Sequence, residues 1–177
     1  MKTQLLILVF LFVFDTGFTW AQDLLKVGDA FPAFSLPDES GKEFSSALLQ
    51  GKPFLIWFYP KAMTPGCTKE GCELRDNFSA FKQAGVEVVG VSFDAPAANK
   101  KFKQKNAFPF PLLSDEDRQL AVKVGAADDP KAWFPKRISY LVGADGRVLK
   151  VYPKVSPSKH AKEVLNDLQQ LGLGVGR

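Results

Sequence analysis

The chain has 177 residues, 46% of them hydrophobic and 24% charged, with a formal net charge of +4. Such a chain is long enough for one globular domain with a real core, and its composition excludes a low-complexity or repeat protein. The basic excess is mild, and its densest run, Lys100-Lys101-Phe102-Lys103-Gln104-Lys105, reads as the solvated face of a helix and not as a nucleic-acid site.

Residues 1–21 read as a secretory signal peptide. Lys2 supplies a positive n-region, Leu5 to Phe14 an apolar h-region, and Thr19-Trp20-Ala21 a cleavage site before Gln22. The apolar run is short for a spanning helix and is followed by Asp15. An exported, periplasmic or secreted protein is expected, with an uncleaved membrane anchor as the alternative. The folded domain is then 22–177.

Residues 22–52, punctuated by Gly and Pro, predict a short hairpin (Phe34 to Leu36 with Glu43 to Ser45) and a short helix near Ser46 to Gln50. Phe54 to Tyr59 is a continuous apolar strand of the kind buried on both faces. A helix is predicted over Pro65 to Gln83, with Leu74, Phe78 and Phe81 at helical spacing and Gly85 as its stop. A second buried strand follows over Val86 to Phe93, a basic amphipathic helix over Ala95 to Asn106, and a short strand over Phe110 to Leu113. Ser114 or Asp115 then caps a helix over Glu116 to Val124. Strands over Arg137 to Val142 and Val148 to Tyr152 flank the turn Gly143-Ala144-Asp145-Gly146, and Ser158 to Leu171 is the last helix, with Gly172 past its end. Strands alternating with helices imply parallel pairing, and the closing hairpin adds antiparallel strands. The expected fold is α/β, thioredoxin-like, a mixed central β-sheet with helices on both faces. Reactive groups in such sheets collect beyond the C-terminal strand ends.

Cys67 stands at such a place. Thr64 suits a helix N-cap and Pro65 the first helical position, so Cys67 falls at the third, near the free N–H groups and positive end of the helix. That setting favours thiolate, the nucleophilic form. Only one other cysteine exists, Cys72. In an exported protein two cysteines ordinarily suggest a structural disulfide. Five helical steps, however, give roughly 7.5 Å of rise and about 140° of rotation, hence Cα atoms about 8.7 Å apart. A disulfide needs about 4.4–6.8 Å. Helix and bond exclude each other unless the first turns unwind, which suits a redox switch better than a staple. Two cysteines and one histidine make a poor zinc set, and no metal or other cofactor is expected.

The segment Pro60-Lys61-Ala62-Met63-Thr64-Pro65-Gly66-Cys67 matches the P-x-x-x-T-x-x-C signature of the peroxiredoxins. With Glu70, Cys72 and Leu74-Arg75-Asp76 the chain resembles the Q-type subfamily, also called bacterioferritin comigratory protein, and the likeness extends over most of residues 22–177. The resemblance implies a thiol peroxidase acting on hydrogen peroxide and organic hydroperoxides. It makes Cys67 the peroxidatic cysteine, oxidised to a sulfenic acid, and Cys72 the resolving cysteine that forms an intramolecular disulfide. A thioredoxin-like dithiol reductant would then restore the pair. Thr64 would hold the peroxide or thiolate, Pro60 would shape and shield the pocket, and the N–H groups of Gly66 and Cys67 would polarise the peroxide. Arg137 matches the arginine the family places beside the sulfur, with Lys136 as the fallback. The in-chain cysteine pair needs no second subunit, so a monomer is expected. The Gly125 to Pro135 loop looks shorter than in many relatives.

Other candidates carry plainer readings. Glu70 either orients a polar neighbour or is simply a carboxylate near the helix start. Arg75 and Asp76 read as a surface pair, and Trp57, Trp133 and Phe134 as core or loop packing, with Trp133 and Phe134 alternatively the rim of the substrate mouth. His160 is distant in sequence and no Cys/His pair is implied. Two other functions compete: a thiol–disulfide oxidoreductase, which usually carries C-x-x-C, and a secreted binding or chaperone module with a static disulfide.

Overall fold

The computed structural model describes residues 23–173; the expected signal peptide lies outside the described residues. A two-stranded antiparallel hairpin, β1 (Ser35–Pro37) and β2 (Glu43–Ser45), leads through a 3-10 turn at Ser46–Leu49 into the main sheet. That sheet comprises β3 (Phe54–Phe58), β4 (Glu87–Ser92), β5 (Leu112–Ser114), β6 (Ile138–Val142) and β7 (Val148–Tyr152), in the order β5-β4-β3-β6-β7. The pairs β3–β4 and β4–β5 are parallel; β3–β6 and β6–β7 are antiparallel. The helices are α1 (Pro65–Asp76), α2 (Phe78–Gln83), α3 (Pro96–Asn106), α4 (Gln119–Lys123) and α5 (His160–Gln170). This is the mixed α/β architecture the sequence predicts.

The central strand β3, Phe-Leu-Ile-Trp-Phe, is buried along its whole length, and alternation sends its side chains to two separate cores. Leu55 and Trp57 meet Leu74 of α1, Phe81 of α2, Phe102 of α3 and Val164 and Leu168 of α5. Ile56 and Phe58 meet α4 and Phe34 and Leu49 on the other face. Glycine is required at position 90 of β4, because a Cβ there would lie 2.6 Å from Leu112 and 3.0 Å from the Trp57 indole.

Two predicted helices differ from the structure. The expected helix over Pro65 to Gln83 is divided at Asn77, which has φ −102° and ψ 7°. The Asn77 side-chain amide donates to the Glu73 carbonyl at 2.8 Å, while its own carbonyl accepts from Ala80 and Phe81 and begins a new helix. The helix expected from Glu116 starts only at Gln119. Arg118 sits in the left-handed region, φ 60°, and the Asp115 carboxylate reaches past it to accept from the N–H groups of Leu120 and Ala121.

Candidate active site

The site is assembled where β3 runs into α1. Tyr59 continues β3 with its N–H on the Val91 carbonyl. Pro60 to Thr64 then turn the chain into α1, with Met63 in the left-handed region at φ 66°. An adopted φ of that sign costs on the order of 1 kcal/mol or more in a non-glycine residue and needs outside support. Asp94, just past β4, supplies it: its carboxylate accepts from the Ala62 N–H at 2.8 Å and from the Ser92 hydroxyl at 3.0 Å. Behind Asp94 lies a buried polar cluster in which the Tyr59 hydroxyl donates to Asn99 Oδ1 at 2.7 Å and Asn99 Nδ2 donates to Ser114 Oγ at 3.1 Å.

Thr64 occupies the N-cap position, as expected, but its hydroxyl does not cap the helix. It donates to the Lys61 carbonyl at 2.9 Å, closing the turn. The first helical turn is closed by the Thr68 N–H on the Thr64 carbonyl, so the N–H groups of Gly66 and Cys67 precede the first helical bond. Cys67 is fully buried at the third helical position. Arg137, just before β6, reaches it from across the sheet: one guanidinium nitrogen donates to Cys67 Sγ at 3.3 Å, and the other pairs with Glu70 Oε2. Position 66 must be small, since a Cβ there would lie 3.1 Å from the Arg137 guanidinium. Lys136 points away, to Asp128 at 2.6 Å.

Glu70 is fully buried. Desolvation pushes its carboxyl up to about 7 against the opposing pull of Arg137. Its Oε1 has no hydrogen-bond partner among the described residues. His160, at the start of α5, shares a 2.9 Å hydrogen bond with Ser139 of β6. Burial, and then the nearby charge of Arg137, push the imidazole down to about 4 and keep it neutral at ordinary pH.

Cys72 lies on the same helix and is only half-buried. Its sulfur is 4.0 Å from Asn106 Oδ1 and packs beside the core lined by Phe108 and Phe110. Both thiols are free and α1 runs unbroken through both residues. Arg75 does more than pair with Asp76, because it also donates to the Asn106 carbonyl at 2.7 Å. Trp57 is core, but Trp133 is 91% and Phe134 60% exposed, which excludes core packing for that pair. A groove of about 590 Å³ lies elsewhere, between β1 and the start of α4. The buried carboxylate beside it, Asp115, is already committed to α4.

Sequence reasoning missed Asp94, Asn99 and the Ser139–His160 pair, and left Glu70 open. Helical spacing of three from Cys67 was the available signal for Glu70. Only the tertiary structure brings Arg137 against both residues.

Residues 27–151 match the model of the AhpC/TSA family. The chain is 43% identical to peroxiredoxin Bcp of Escherichia coli K12 over 152 residues, 82% of this chain and 97% of the relative. It is 42% identical to the chloroplastic peroxiredoxin Q of Populus jackii over 145 residues, 81% of this chain and 68% of the relative. Among solved structures, peroxidoxin BcpB of Mycobacterium tuberculosis superposes with a TM-score of 0.77 at 33% identity, covering 83% of this chain and 98% of that one. Taken with a cysteine at a helix start under an arginine fork, these likenesses establish that the chain belongs to the AhpC/TSA family, among the Bcp and Q-type peroxiredoxins, and is a thiol peroxidase that reduces peroxides.

Proposed function

We propose that the protein is an exported, monomeric, atypical two-cysteine peroxiredoxin acting on hydrogen peroxide and organic hydroperoxides. The observation that carries this reading is the 3.3 Å contact of the Arg137 guanidinium with Cys67 Sγ at the first turn of α1. A fixed cation and the free N–H groups of a helix start both favour charge on that sulfur. Pro60 and Arg137 are both half-buried, and they are the residues assigned to shape the pocket over the buried sulfur. The Thr64 hydroxyl, its proton given to Lys61, keeps its lone pairs for the peroxide O–H.

The Cys67 thiolate attacks one peroxide oxygen. The S–O bond forms, the O–O bond breaks, and the leaving oxygen departs as alcohol or water once protonated. The N–H groups of Gly66 and Cys67 and the Arg137 fork stabilise charge developing on that oxygen. The sulfenic acid and Cys72 then form a disulfide with loss of water. Both lie on one wound helix, so α1 must open before the sulfurs meet. A dithiol reductant of thioredoxin type attacks the disulfide and restores both thiols. For an exported enzyme this reductant belongs to a periplasmic or membrane-linked thiol system.

The test is a titration of the reduced protein with one equivalent of hydrogen peroxide, followed by thiol counting and peptide mapping. Loss of two thiols, far faster than free cysteine reacts, with a Cys67–Cys72 bridge is expected. Oxidation at the rate of free cysteine, or a bridge between two chains, contradicts the proposal.

A further inference from the structure

Arg137 is shared by two acids. Its fork touches the sulfur of Cys67 and the carboxylate of Glu70, and the only salt bridge Glu70 makes among the described residues is with this guanidinium. Glu70 is fully buried and its second oxygen, Oε1, has no hydrogen-bond partner among the described residues. The groups facing this pair are few. Arg137 comes from the start of β6 and Cys67 from the same helix. His160 of α5, beyond Arg137, is held neutral by burial, and Tyr59 beside β3 is a fully buried phenol whose ionisation is strongly suppressed. One positive charge therefore faces two potential negative ones on fully buried side chains, where an uncompensated charge is costly.

We propose that Arg137 serves one anion at a time: Glu70 is a neutral acid while Cys67 is a thiolate, and it surrenders its proton as the sulfur is oxidised. This rests on the peroxidase reading above. In the oxidation step the thiolate takes up an oxygen, loses two electrons to the peroxide and becomes a neutral sulfenic acid. The leaving oxygen gains a proton, Glu70 loses one, and the new carboxylate takes over Arg137. The pocket holds one positive and one negative charge before and after the step, and no proton is drawn from solvent. The carboxyl's rise to about 7 accords with a group poised to be protonated in one state and ionised in the other. Glu70 acts through Arg137 and is a positioning and proton-balancing residue.

Proton uptake distinguishes this from a merely structural role. In a Cys72→Ser background, which stops the reaction at the sulfenic acid with α1 wound, one equivalent of hydrogen peroxide is added near pH 7 in weak buffer with an indicator dye. Thiol loss is followed in parallel. Well under half a proton per oxidised sulfur is expected with Glu70 present, and about one with Glu70→Gln, whose amide has no proton to give. Equal uptake in the two proteins overturns the proposal. Should Glu70→Gln fail to fold, infrared difference spectra of the Glu70 protein decide. Oxidation is expected to remove a carboxylic-acid C=O band and add a carboxylate band; absence of that exchange overturns the proposal. Failure of the thiol to react at all would remove the peroxidase reading instead.

Discussion

The two halves of α1 are built on different plans. The front, Pro65 to Glu70 with the turn Pro60 to Thr64 that leads into it, is tied to other elements by polar contacts: Ala62 to Asp94, Cys67 and Glu70 to Arg137. The rear, from Gly71 to Asp76, combines core packing by Leu74 with one strong polar tie, Arg75 to the Asn106 carbonyl. Gly71 lies against the Phe108 ring, whose edge would be 2.5 Å from a Cβ, and the half-buried Cys72 borders the same core. The helix then ends at Asn77, so α2 is a separate unit. A polar front fixes the reacting sulfur in one geometry. Because the helix ends in a break at Asn77, α1 can open from its first turns through Cys72 without dragging α2 along, as pairing of Cys67 with Cys72 demands.

The sharpest ways to break this comparison act at the front. Cys67→Ser is expected to abolish peroxide turnover, measured by loss of hydrogen peroxide. Arg137→Met is expected to slow thiol oxidation about a hundredfold or more, the usual cost of removing one preorganised donor. Arg137→Lys should recover little, because a lysine cannot address Cys67 and Glu70 together. Stopped-flow fluorescence measures both.

At the rear the effects are smaller. Gly71→Ala forces a methyl into Phe108, a ring that is buried, stacked on Phe110 and in edge contact with Phe102. A loss of about 1–3 kcal/mol in urea unfolding is expected, with Cys67 still reactive toward the first equivalent of peroxide. Retained stability would mean that the rear of α1 is loosely seated.

The fold was largely legible in the sequence, because β3, β4 and β6 are apolar runs between strong turn signals and the periodicity changes at each helix. The break at Asn77 was not. Leu74, Phe78 and Phe81 keep helical spacing across it, and the event is a side-chain amide competing for the Glu73 carbonyl. At the site, Cys67 and the N-cap position of Thr64 were readable from local chemistry alone. Arg137 needed a family likeness, since it lies seventy residues from Cys67. Asp94 and Asn99 act by reaching across strands, which no local pattern encodes.

The smallest effects concern pH. Burial raises Glu70 from 4.5 to about 7, so its contribution to stability is complete below 4.5 and lost as pH rises through 7. His160 falls from 6.5 to about 4, so its contribution is complete above 6.5 and lost as pH falls through 4. Between 4.5 and 6.5 the two slopes oppose, and the urea midpoint should change little. Glu70→Gln leaves the His160 slope alone, so stability should climb with pH across that window. His160→Asn leaves the Glu70 slope alone, so stability should fall.

Hydrogen exchange across residues 60–83, in reduced protein and in protein oxidised by one equivalent of peroxide, tests the independent opening of α1 most directly. Protection of the α1 amides in the reduced form, lost on oxidation while α2 stays protected, is the predicted result. A Cys67–Cys72 bridge formed with α1 protection unchanged would contradict it.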